Sequence, residues 1–161
     1  MLLISYFLNI KFVSYYQIAV DLIYQLRSIP IMIIDPIMPA SSEMDGMEQI
    51  KKLYFRSQKY NILVALPLFV ASFIFSEVFV RFWLGNGYDM TILALRIFIL
   101  AYLVNILTRP GHCILNGIGK PDYGMYSSVL AILLNVVFGI PLIIKYGYVG
   151  VLWATFISMF F

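Results

Sequence analysis

Two stretches decide the fold of this chain: residues 92–116, ILALRIFILAYLVNILTRPGHCILN, and residues 123–161, YGMYSSVLAILLNVVFGIPLIIKYGYVGVLWATFISMFF. Both contain helix-length apolar runs interrupted by a few polar residues at helical spacing. A hydrocarbon core of about 30 Å takes roughly 20 apolar residues to cross as a helix, and polar residues repeating along one face mark something polar handled inside it. Composition agrees. Hydrophobic residues make up 62% of the 161 and charged residues 12%, against roughly 45–50% and 25% in soluble domains. The expectation is an all-α polytopic membrane protein, a single helical bundle of four complete and two partial transmembrane helices.

Outward from these stretches, a first span is expected from Phe12 to Pro39, with Pro30, Pro36 and Pro39 kinking or breaking its second half, because proline lacks the backbone donor and crowds the preceding turn. Residues 41–60 are the one strongly polar segment. Ser41 and Ser42 are candidate N-caps, Glu43, Asp45 and Glu48 lie near the start, and Lys51, Lys52, Arg56 and Lys59 towards the end. That order complements the helix dipole and predicts a separate amphipathic helix at the membrane surface. Further spans are expected over Ile62–Val80, from Ile92 to Arg109 or on to Asn116 if Pro110 only kinks the helix, and over Met125–Ile144. A last helix starts near Val151 and has 11 residues before Phe161, too few for the bilayer at about 1.5 Å each. Met1–Asn9 lacks a basic region and a cleavage pattern, so it reads as the tail of a helix rather than a signal peptide. The chain is expected to be a fragment, cut at both ends.

The basic cluster Lys51–Lys59 is the densest in the chain and places that loop in the cytoplasm, with the Gly85 and Gly147 turns outside. Positions three, four or seven apart share a helix face. Ser14, Gln17, Asp21, Gln25 and Ser28 do so in the first span, and Asn105, Arg109, His112 and Asn116 in the third. Gly124, Ser128, Ala131, Asn135 and Gly139 do so in the fourth, and Gly150, Ala154 and Ser158 in the last. Each stripe is either a helix–helix seam or the wall of a wet cavity. For Gly150, Ala154 and Ser158 the seam is the better reading, since small residues let backbones approach. Where an ionisable group appears the cavity gains, because a charge at mid-membrane costs about 2.5–3.5 kcal/mol even on lenient scales. The candidate cavity residues are Gln17, Asp21, Gln25, Asn105, Arg109, Asn116 and Asn135, with Asp21 expected across the cavity from Arg109. Asp35, among prolines, is expected to cap a broken backbone, Glu77 and Arg81 to form a surface pair four residues apart, and Arg27 to sit at an interface or helix pair.

Enzymatic chemistry finds no footing. There is no nucleophile–base pair, no useful carboxylate pair and no phosphate loop; Gly117-Ile118-Gly119-Lys120 is a turn. The single His112 and single Cys113 cannot build a metal cluster or a disulfide framework, and Cys113 reads as a small packing residue. No cofactor is called for, and the net charge of +3 gives no reason to expect nucleic acid.

The order of several landmarks resembles a known family. These are Ser14-Tyr15-Tyr16-Gln17-Ile18-Ala19 with Pro36 to Pro39, Trp83-Leu84-Gly85, Leu115-Asn116-Gly117-Ile118-Gly119-Lys120, Leu134-Asn135-Val136, Tyr146-Gly147-Tyr148-Val149-Gly150-Val151 and Ala154-Thr155. Together they resemble the polysaccharide-biosynthesis flippases, the O-antigen and capsule transporters of the multidrug/oligosaccharidyl-lipid/polysaccharide exporter superfamily. The resemblance implies two pseudo-symmetric bundles of about twelve helices in all, with this chain covering the end of the seventh to the start of the twelfth. It also implies alternating access around a cationic cavity that accepts a polyprenyl-diphosphate-linked oligosaccharide. The partners would be the bilayer of the cell inner membrane, that lipid, and a first bundle or second chain supplying the other wall; any coupling ion stays open. Two alternatives are half of a drug or cation exporter of the same superfamily, where acidic cavity residues would serve, and a non-transporting membrane assembly component.

Overall fold

The computed structural model describes residues 10–44 and 46–159. The expected helix tail over Met1–Asn9 therefore lies outside the described residues. Helices account for 90% of the structure, with no strand among the described residues. In chain order they are α1 (Ile10–Ile34), α2 (Ile37–Ser42), α3 (Met47–Leu84), α4 (Asp89–Gly117), α5 (Asp122–Tyr146) and α6 (Tyr148–Ser158). Four segments are long and apolar enough to cross a membrane: α1 with α2, α3, α4 and α5. The chain is a multi-pass all-α membrane protein.

Prolines shape these helices without ending most of them. Pro30, Pro67, Pro110 and Pro141 all lie inside helices, which membrane helices tolerate where neighbouring groups take up the freed carbonyls. The one real break in the first span falls at Asp35 and Pro36, between α1 and α2. α4 continues through Pro110 to Gly117 without a break.

The polar segment 41–60 is not a separate helix. Ser41 and Ser42 close α2 instead of capping the next helix, their hydroxyls donating back to the carbonyls of Met38 and Pro39. Residues 47–60 then form the first part of the 38-residue α3. The physical reason is continuity of propensity: from Met47 to Leu66 the chain has no glycine or proline, so the change from charged to apolar residues alters the surroundings of the helix and not its backbone. At about 1.5 Å per residue α3 is roughly 57 Å long, nearly twice the hydrocarbon thickness.

Helix α4 is the centre of the bundle. Half of its most apolar window is buried, against 11% for α5, and it packs on α1, α2, α3 and α6 while touching α5 lightly. Its core side chains include Leu95, Phe98, Ile99, Tyr102 and Ile106. Against α1, the Tyr16 and Phe98 rings meet edge to face at 5.2 Å, and Arg27 lies 4.9 Å from the Tyr24 ring and 5.1 Å from the Tyr102 ring. Arg27 is thus a helix-pair residue. Short turns make α3, α4 and α5 successively antiparallel, so the turns at Gly85 and Gly147 share one end of the bundle. The α1–α2 break, the start of α3 and the α4–α5 turn share the other.

Helices α5 and α6 form a close hairpin. Gly150 and Ala154 are buried on α6, and a Cβ on Gly150 would overlap the Leu142 carbonyl. Only glycine lets α6 cross the end of α5 at that spacing. The small row Gly150, Ala154 and Ser158 is a helix seam.

Candidate functional site

Because α4 and α5 touch so lightly, a groove of about 690 Å³ opens between them, floored by α6. From α4 it is lined by Asn105, Thr108, Arg109, His112 and Asn116, and from α5 by Gly124, Ser127, Ser128, Ala131 and Asn135. The two sequence stripes thus face one another across a single space. Asn135 Nδ2 donates to Ser158 Oγ at 3.1 Å, Ser158 Oγ to the Thr155 carbonyl at 2.9 Å, and Tyr16 hydroxyl meets Thr155 Oγ1 at 3.4 Å. Through the backbone and the side chain of Thr155, these bonds tie the floor to α1. His112 lies close to the open face of Gly124, where a Cβ would stand 3.5 Å from its Nδ1.

Arg109 is the one side chain among the groove's lining residues that is always charged, and none of them is acidic. Its Nη2 lies 3.2 Å from Asp35 Oδ1, with both side chains partly exposed at 39% and 53%. Asp35 thus does not cap the broken backbone with its side chain, as expected; it partners Arg109. It can do so because the break at Pro36 sends α2 across the end of α4, where Gly117 lies against Met38 and Ser41.

Asp21 is not across the cavity from Arg109. It sits on the exposed side of α1, where Gln17 Nε2 donates to its Oδ1 at 2.7 Å. Gln25 points elsewhere again, into a mostly apolar groove between α1 and α3 with Ser28, Ser72 and Phe75. Of the seven candidate cavity residues, the structure brings Asn105, Arg109, Asn116 and Asn135 together and leaves Gln17, Asp21 and Gln25 outside. The cause is the face of α1 that packs on α4: Ala19, Ile23, Pro30 and Ile34 are buried there, which turns Asp21 away.

Sequence reading missed two groups. Arg96, on α4, donates from Nε to Ser76 Oγ at 3.1 Å and from Nη2 to Glu77 Oε2 at 3.1 Å, while Arg81 meets Glu77 at 2.9 Å and Asp89 at 3.7 Å. The expected Glu77–Arg81 pair is therefore part of a cluster of four charged residues and Ser76 tying α3 to α4. Asn61, only 1% exposed, donates from Nδ2 to the Ile106 carbonyl at 2.8 Å. An ionisable side chain inside an apolar run and an amide at the start of one were the signals to follow.

The MatE family profile matches residues 45–140, which take in α3, α4 and most of α5. The chain belongs to the MatE family. As a MatE chain it is a membrane exporter of the multidrug/oligosaccharidyl-lipid/polysaccharide superfamily, whose members are transporters and not enzymes. The matched stretch contains Arg109 and both walls of the groove. No curated protein and no solved structure gives a significant match to the chain.

Proposed function

We propose that this MatE chain forms one wall of an exporter that moves polyprenyl-diphosphate-linked oligosaccharide across the cytoplasmic membrane for surface polysaccharide, by alternating access against a second bundle. The observation that carries the reading is the charge of the groove: a guanidinium, amides and hydroxyls, with no carboxylate in the lining. A diphosphate suits this set, because arginine can donate two hydrogen bonds at once and the amides and hydroxyls can serve the sugars. Export of an organic cation is equally compatible with the family match, but it calls for an acid in the groove. Asp21, the acid expected there, lies outside it, and Asp35, the carboxylate beside the groove, is taken up by Arg109.

The Arg109–Asp35 pair fits a cycle. An ion pair this exposed contributes about 1 kcal/mol or less, so an arriving diphosphate can displace the carboxylate, and the carboxylate can reclaim the arginine on release. The test is polymer export in a strain lacking its own flippase, with membrane abundance of each variant measured alongside. Arg109→Ala is expected to abolish export at normal abundance, and Arg109→Lys to keep part of it, since lysine keeps the charge but not the fork. Wild-type export by Arg109→Ala would make Arg109 a structural residue and end the reading.

A further inference from the structure

Pro110 has no N–H, so the carbonyl of Ile106, four residues earlier in α4, loses its intrahelical donor. That carbonyl is the one Asn61 takes up: Nδ2 donates to Ile106 O at 2.8 Å. Both residues are sealed from solvent, Asn61 at 1% and Ile106 at 2% exposure. The amide's orientation follows from this partner, since the flipped form would set Oδ1 against the carbonyl oxygen. The Oδ1 atom itself has no partner among the described residues, so the amide serves Ile106 at some cost to its own acceptor. Two turns earlier on the same face of α3, Tyr54 packs against Gly111, the residue after Pro110.

We propose that Asn61 is a positioning residue for the groove: by replacing the donor that Pro110 removes, it fixes α4 at the point where Arg109 emerges. Arg109 immediately precedes Pro110, and the last two turns of α4, residues 110–117, carry Asn116 into the groove and brace α2 through Gly117. Without the amide, a buried carbonyl is unsatisfied beside a Pro-Gly pair, and the two halves of α4 are free to change their angle. Asn105 lies before Pro110, in the part of α4 that α1 and α3 hold. The functional sense of this rests on the groove being the transport path, but the bond itself does not.

The experiment separates the two. In the full-length protein, Asn61→Leu keeps the branched shape and removes the donor. It is expected to lower the melting midpoint by about 3–8 °C, the effect of leaving a buried carbonyl unpaired. In a Pro110→Ala background, where residue 110 again supplies an N–H to Ile106, the same substitution is expected to cost less than half as much. If Asn61→Leu accumulates only with Pro110→Ala, that is the same rescue in a stronger form. Equal losses in the two backgrounds would make Asn61 a packing residue and overturn the proposal. Positioning is read by thiol labelling in a Cys113→Ala background: Asn61→Leu should change the labelling rate of Asn116→Cys and leave that of Asn105→Cys alone. Unchanged rates at both would show that the end of α4 is not positioned by Asn61, whatever the groove transports.

Discussion

Two guanidinium groups lie within the apolar helix α4, and their surroundings assign them different work. Arg96 shares Glu77 with Arg81 and also bonds Ser76, in a cluster of two cations and two anions. Arg109 faces the groove with one carboxylate partner. Glu77→Gln should therefore lower thermal stability by about 1 kcal/mol, discounted for the partial exposure of the cluster, and leave export near normal at low temperature. Arg109→Ala should do the reverse, and melting curves set beside export assays check both. Asp35→Asn should release Arg109: binding of a diphosphate lipid should tighten while export slows, because nothing then competes for the guanidinium. Weaker binding in Asp35→Asn would show that the carboxylate orders the site rather than competing for it.

At the scale of the helices, the apolar runs and the spacing of three, four and seven made the spans and both groove faces readable in advance. Asn105, Arg109 and Asn116 on α4 and Asn135 on α5 line one groove. Helical periodicity says which residues share a face, but not which helix that face meets. Spacing therefore sets Asp21 opposite Arg109 and makes Asp35 a backbone cap, whereas the burial of Ala19 and Ile23 turns Asp21 away and leaves Asp35 to pair with Arg109. Asn61 was hidden because its role depends on a proline 49 positions later in the chain, and the continuity of α3 because a change in polarity looks like a boundary. Single-cysteine variants along α4 should react with water-soluble thiol reagents at Asn105, Arg109 and Asn116 and be protected at Leu103 and Ile106. Uniform protection would make the groove a dry seam. Cysteine at Lys51 should label only from the cytoplasmic side and at Asn86 only from outside, as the basic cluster requires; the opposite pattern would invert the topology.

For the molecule as a whole, α4 is held on nearly every side, while α5 and α6 form a hairpin that meets it along a light seam through α5 and more closely through α6. Motion between these two parts is what would widen or narrow the groove. His112 and Gly124 face each other across that seam, so a His112→Cys/Gly124→Cys pair bridged by a short thiol crosslinker should stop export, and reversal of the crosslink should restore it. Export that continues through the bridged pair would place the moving joint elsewhere. The unbroken run of α3 adds a mechanical point. Residues 47–60 prolong a membrane span by about 20 Å of stiff helix, with no turn in between to absorb rotation. Since Tyr54 rests on Gly111 and Ile50 and Leu53 on the core, the extension turns with the bundle as a lever: a small tilt of the bundle within the bilayer becomes a lateral sweep of Lys51 and Lys52 at its far end. A fluorophore placed there would report the tilt of the bundle from outside the membrane.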